Sequence, residues 1–157
     1  DWIGEDGIKG DDAVKIAKAF KAHGCDIINV SAGQTTPAAK PIYGRMFQVW
    51  LSEQVRLEAD IPTIAAGNIT TWDQVNTILA AGRADLIAIG RPHLTNPHFT
   101  LQAAAYYGFE QQRWPLPYET GKEQSYRFAV RDREEQLSSR LALKPSNHNP
   151  SKGYQNN

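Results

Sequence analysis

Apolar positions along the first hundred residues alternate between two rhythms. Between Gly10 and His23 they fall at Ala13, Ile16, Ala17 and Phe20, the i, i+3, i+4, i+7 spacing of one helix face, while Lys15, Lys18 and Lys21 point elsewhere. Asp11 is placed to cap this helix and His23-Gly24 to end it. Cys25 to Val30 is mostly apolar, rich in β-branched residues and too brief for a helix, which predicts a strand covered on both faces. Ser31 to Gly44, broken by glycine and proline, predicts a long loop of a length that is uncommon unless it serves function. A second helix is expected from Trp50 to Ala59, with Leu51, Val55 and Ala59 on one face, and a second strand from Pro62 to Ala66. Thr71-Trp72-Asp73-Gln74 has the spacing of a capping box, opening a helix whose inward stripe is Val75, Ile78 and Leu79 and which Ala81-Gly82 closes. The third strand is predicted over Ala84 to Ile89, and a last helix starts at Asn96-Pro97, with asparagine as cap, and stops at Gly108.

Strands separated by helices pair in parallel through helical crossovers, so the fold class is α/β with about three parallel strands. Beyond Trp114-Pro115-Leu116-Pro117 the composition changes. Lys122 to Leu143 is charge-dense and, as a helix, aligns Tyr126, Val130, Leu137 and Leu141, while Arg131-Asp132-Arg133-Glu134-Glu135 reads as a solvated face. Lys144 to Asn157 offers almost nothing to bury and is expected to be disordered. Three segments follow: 1–121 as β/α units, 122–143 as an amphipathic helix, and 144–157 as a tail. There is no internal repeat longer than the β-α unit.

Charge removes one class of partner. Seventeen Lys plus Arg balance seventeen Asp plus Glu, so no field of one sign exists to hold a nucleic-acid backbone or an anionic membrane surface. Cys25 is the single cysteine, which excludes an internal disulfide and a cysteine-built metal site and fits a reducing, cytoplasmic setting. No apolar run approaches the roughly 20 residues of a membrane helix, and Asp1-Trp2-Ile3-Gly4-Glu5-Asp6 has neither the basic flank nor the apolar stretch of a signal peptide. The absence of an initiator methionine leads us to expect that the chain begins inside a longer polypeptide.

Candidate chemistry sits where strands end. Ala66-Gly67-Asn68 and Ile89-Gly90-Arg91 each place glycine and a polar residue after a strand and shortly before a helix. Glycine lets backbone N–H groups approach an anion, the helix start adds a positive end, and an arginine can bond phosphate oxygens bidentately. In a β/α barrel the loops after the last two strands are the usual phosphate site, so Gly67, Asn68, Gly90 and Arg91 form a candidate phosphate cradle. Taken singly, each glycine pair reads as a turn; two pairs on successive β/α units bring a phosphate-bearing ligand level with that plainer reading. Other residues have plainer readings. His23 serves as a helix-end cap, Cys25 as a packing residue, Trp72 and Trp114 as surface covers, and His93 and His98 do not make the facing pair of a helical metal site.

Val30-Ser31-Ala32-Gly33, Ile64-Ala65-Ala66-Gly67-Asn68-Ile69, and Ala81-Gly82-Arg83-Ala84-Asp85-Leu86 leading into Ile89-Gly90-Arg91-Pro92 resemble the second half of the old yellow enzyme family. Those are FMN-dependent NAD(P)H oxidoreductases on a (β/α)8 TIM barrel. More narrowly, Ser31-Ala32-Gly33-Gln34-Thr35, Tyr43-Gly44-Arg45-Met46-Phe47-Gln48 and Arg91-Pro92-His93-Leu94 resemble the reductase portion of bifunctional salicylyl-CoA 5-hydroxylase and 2-aminobenzoyl-CoA monooxygenase-reductase proteins. The resemblance covers Asp1 to about Gly121. It implies the flavin phosphate on Gly90 and Arg91, main-chain donors from Gly67 and Asn68, Ser31 and Gly33 near the isoalloxazine edge or the substrate mouth, and Arg45 meeting a CoA phosphate. It also implies hydride transfer from NADH or NADPH through FMN to an activated C=C bond or an aryl-CoA thioester. The family's flavin-pyrimidine arginine, its substrate-oxygen pair and its proton-donating tyrosine fall upstream of Asp1, so Tyr43, Tyr106, Tyr107 and Tyr118 inherit no catalytic role. Thr120 stands where some relatives send an arginine into a neighbouring subunit, although a homo-oligomer remains compatible with the family. A whole barrel takes about 250 residues, so the chain is expected to be its incomplete C-terminal part, inactive alone and partnered by a missing N-terminal half. Two other readings stay open: a non-flavin sugar-phosphate enzyme of aldolase or isomerase type, and a non-catalytic half-barrel that binds a phosphate ligand.

Overall fold

Residues 1–142 are described by the computed structural model; Leu143 and the segment expected to be a disordered tail lie outside the described residues. Packing divides the chain after Pro97 into one unit over residues 1–97 and another from His98 onward. The first unit runs α1 (Gly10–Ala22), β1 (Ile28–Val30), α2 (Val49–Ala59), β2 (Thr63–Ala65), α3 (Trp72–Ala80), β3 (Leu86–Ile87) and α4 (Arg91–Thr95). The three strands form one parallel sheet in the order β1-β2-β3. All three expected strands are present but shorter: β2 and β3 keep the centres of the expected runs and β1 keeps the last three residues of Cys25–Val30.

The register decides what each face carries. Ile28 lies opposite Thr63, Val30 opposite Ala65, and Ala65 opposite Ile87, so these residues share one face; Asn29, Ile64 and Leu86 share the other. Val30, Thr63 and Ala65 are buried on the first face, whereas Asn29 is exposed and Leu86 is 55% exposed on the second. Helices therefore cover one face, where the apolar strand pattern predicts cover on both. An apolar run shows that both faces can be buried, not that this chain supplies both covers.

Two buried clusters lie on the covered side. Val14, Ala17, Val30, Val55, Ala59 and Ile61 join α1 and α2 to β1, with Cys25 packed against them. Val49, Ala65, Ile69, Ile78 and Ala84 join α2 and α3 to β2. A buried hydroxyl pair adds direction to the packing, Ser52 Oγ donating to Thr63 Oγ1 at 2.9 Å between α2 and β2.

Details of the helices depart from the pattern reading. On α1 the buried residues are Val14 and Ala17, while Ile16 and Phe20 are exposed. Asp11 is not the cap; Lys9 precedes the helix, its N–H donates to Asp12, and Asp11 accepts from Gln54 Nε2 at 3.1 Å. The capping box of α3 forms as expected, with Gln74 N donating to Thr71 Oγ1 and Thr71 N donating to Gln74 Oε1, both at 3.3 Å. Its inner side is Gln74 and Ile78, with Leu79 exposed. Asn96 ends α4, a short helix absent from the pattern reading, instead of capping the helix that follows.

In the second unit α5 (Phe99–Tyr107) ends at Gly108, whose φ of +70° suits glycine; Phe109 N then donates back to Ala104 O at 2.8 Å. A 3-10 turn (Leu116–Gly121) leads into α6 (Lys122–Ala142), which packs on α5. The expected stripe on α6 is not buried: Val130, Leu137 and Leu141 are exposed, and Arg131 pairs loosely with Asp132 and Glu135 along the surface. No helix among the described residues is long and apolar enough to cross a membrane.

Candidate functional site: a cleft where two strands end

β2 and β3 run parallel, so both deliver the chain to the same end of the sheet. There Gly67, Asn68, Thr70, Gly90, Arg91 and Thr95 line one open cleft of about 620 Å³. The structure thus brings together the four residues of the predicted cradle, which the sequence separates by more than twenty positions.

The local backbone explains the residue types. Gly67 has φ +101°, which L side chains rarely adopt, and Asn68 follows at φ +53°, where asparagine is among the better-tolerated residues. Asn68 also ties the turn to the preceding loop, its Nδ2 donating to Gly44 O at 2.9 Å while its carbonyl accepts from Met46 N at 3.2 Å. Across the cleft Gly90 leads into α4, and a Cβ placed on it would meet open space.

What is left unsatisfied defines the chemistry. Among the described residues, the backbone N–H groups of Gly67, Asn68, Gly90 and Arg91 donate to no protein acceptor. The exposed Arg91 guanidinium has no carboxylate or carbonyl partner among them either. Backbone donors normally find partners, and an arginine beside them can take two oxygens at once. A donor set of this kind fits a phosphate dianion.

The other candidates belong to the neighbouring loop. Ser31 is exposed just after β1, and Gly33, at φ +89°, is wedged where a Cβ would come within 3.2 Å of Trp2 and 3.3 Å of Pro41. Arg45 is exposed and has no side-chain partner among the described residues. Pattern reading missed Gln48. It is buried at 7% exposure, its Nε2 donates to Ala32 O at 2.7 Å, and its carboxamide fills the space where a Cβ on Gly67 would sit. A polar residue between Phe47 and Val49, one position ahead of a helix, is the signal that could have marked it.

The opposite end of the sheet is built for holding, not binding. Arg56 Nε and one terminal nitrogen donate to the two Asp85 oxygens at 2.9 and 3.1 Å, and Thr63 N donates to the same carboxylate at 2.9 Å. Those hydrogen bonds, the guanidinium's first, hold the Asp85 carboxyl below the ordinary aspartate range. His23 Nδ1 meets Ala19 O at 2.8 Å, as a helix-end residue does, and Cys25 Sγ donates to Ile27 O at 3.3 Å.

Similarity to known proteins bears on the same segment. Residues 3–108 match the NADH:flavin oxidoreductase / NADH oxidase family. The chain is 40% identical over 116 residues to an NADPH dehydrogenase of Geobacillus thermodenitrificans, covering 74% of this chain and 34% of that protein. It is 39% identical over 119 residues to an NADPH dehydrogenase of Clostridium acetobutylicum, covering 76% and 34%. A third NADPH dehydrogenase, from Halalkalibacterium halodurans, is 41% identical over 104 residues, covering 66% and 30%. The chain thus spans about one third of the length of these relatives, and the matched stretch holds the whole sheet together with both turns of the cleft. On that match the chain belongs to the NADH:flavin oxidoreductase / NADH oxidase family.

Proposed function

We propose that this chain supplies the phosphate anchor for FMN in an NAD(P)H-dependent oxidoreductase that reduces an activated C=C bond. Family membership implies FMN with NAD(P)H and favours the flavin reading over a sugar-phosphate aldolase or isomerase. The observation that carries the proposal is that Gly67, Asn68, Gly90 and Arg91 line one cleft while, among the described residues, their backbone N–H groups and the Arg91 guanidinium have no acceptor. When bound, FMN supplies acceptance of hydride from NAD(P)H and its delivery to an oxidised substrate. This chain's part is positional: Gly90 and Arg91 hold the phosphate from one side, and Gly67 and Asn68 present donors from the other.

The sheet is read as part of a β/α barrel. Support comes from the face on which Asn29 and Leu86 are exposed and Ile64 is half-buried, the outer edges of β1 and β3, and a cleft at the carboxyl ends of the strands. Ser31 and Gly33 would approach the flavin ring or the substrate mouth from the loop after β1. An aryl-CoA thioester is the substrate class suggested by the resemblance, and the exposed Arg45 side chain suits a CoA phosphate.

The test uses the protein made from its complete gene. Flavin absorbance after FMN reconstitution, with NAD(P)H oxidation above a flavin-only blank, supports the proposal; a colourless protein after reconstitution refutes it. Binding of FMN without NAD(P)H turnover would instead favour a phosphate-binding module. Arg91→Ala removes charged hydrogen bonds to phosphate and should weaken FMN binding by about 1.5–3 kcal/mol, roughly ten- to hundredfold in Kd. An unchanged Kd would remove Arg91 from the site.

A further inference from the structure

Gln48 lies under the cleft and outside every role assigned so far. Its Nε2 donates to the Ala32 carbonyl at 2.7 Å, which fixes the plane of the carboxamide and anchors it to the loop after β1. The other end of the amide lies against Gly67: a Cβ built there would fall 2.9 Å from Gln48 Oε1 and 3.0 Å from Cδ and Cγ. The side chain is almost fully buried and opens α2, whose next residue, Val49, has no exposed surface. It therefore cannot swing aside without disturbing the core.

We propose that Gln48 is a positioning residue: its carboxamide spans from Ala32 to Gly67 and holds the Gly67-Asn68 turn so that the two backbone N–H groups face the cleft. The proposal rests on the reading of that cleft as a phosphate anchor. Asn68 and Met46 already tie the outer side of this turn to the Gly44 loop. Gln48 supplies the inner side, so the turn is held on both flanks and its donors are set before an anion arrives.

The experiment compares FMN with riboflavin, which differ only by the phosphate, in titrations of the intact apoprotein followed by flavin fluorescence. A residue that aims phosphate donors affects FMN alone, whereas one that merely stabilises the fold affects both. Gln48→Ala should raise the Kd for FMN about tenfold, the size of one well-placed hydrogen bond, and leave the riboflavin Kd within about twofold. Gln48→Glu keeps the volume but puts an acceptor against the Ala32 carbonyl; it should show the same selective loss near pH 8 and gives the answer if the alanine variant fails to fold. Equal losses for FMN and riboflavin, or no loss for either, would overturn the role of Gln48. Arg91→Ala run alongside separates the two claims: if it too shows no selective loss of FMN, the phosphate anchor itself is wrong, and if it does, the failure belongs to Gln48 alone.

Discussion

Gly67 illustrates how a single position can be constrained from two directions. Its φ of +101° disfavours any side chain, and the space a Cβ needs is taken by Gln48. Gly67→Ala should therefore cost about 1–3 kcal/mol of stability, the usual penalty of a strained backbone position. Thermal unfolding of the variant against the parent reads this directly, and an unchanged midpoint would mean that the turn relaxes without strain. The glycine was visible in the sequence as a strand-end turn, but Gln48, the reason it cannot be anything else, was not. Sequence spacing gives no hint that a side chain nineteen positions earlier fills that space. The side chain of Asn68 has a task separate from its main-chain N–H, fastening the turn to Gly44.

Elements were legible where their signals are local. The Thr71-Gln74 capping box and the Gly108 terminator depend on residues within a turn or two of each other, and both formed as expected, whereas the caps expected at Asp11 and Asn96 did not. The buried faces were less legible, because Ile16, Phe20 and Leu79 are apolar yet lie away from the clusters that the sheet's position selects. Tertiary ties between elements were not legible at all. Asp85, just ahead of β3, accepts from Arg56 on α2 and from the Thr63 N–H at the start of β2, so one carboxylate fastens three elements at the end of the sheet remote from the cleft. Its folded pKa is depressed, so its contribution is present above the unfolded value, about 3.9, and is lost as pH falls through the folded value. Asp85→Asn should unfold at lower temperature than the parent at pH 7, and the difference should shrink below about pH 4. Two melting curves that stay equally far apart down to pH 2 would show that the ionised carboxylate is not what fastens the elements.

At the scale of the molecule, the α/β class and the parallel strand order followed from alternating helices and short apolar runs, and the sheet bears both out. The exposure of Asn29 and Leu86 on the second face did not follow, since a strand's composition cannot say how many of its covers lie within the same chain. The grouping of Gly67, Asn68, Gly90 and Arg91 did follow, because parallel strands joined by crossovers must release their chains at a common end. That grouping is the centre of the account, and the phosphorus nucleus of FMN reports on it most directly. A free phosphate monoester loses its second proton near pH 6, and a cradle of N–H donors with a guanidinium favours the dianion. In phosphorus-31 NMR of the FMN-loaded protein, the bound resonance should hold the dianion's shift from pH 8 down to pH 5. Arg91→Ala should restore part of the titration. A bound resonance that titrates near pH 6, as free FMN does, in both the parent and the variant would contradict the phosphate anchor.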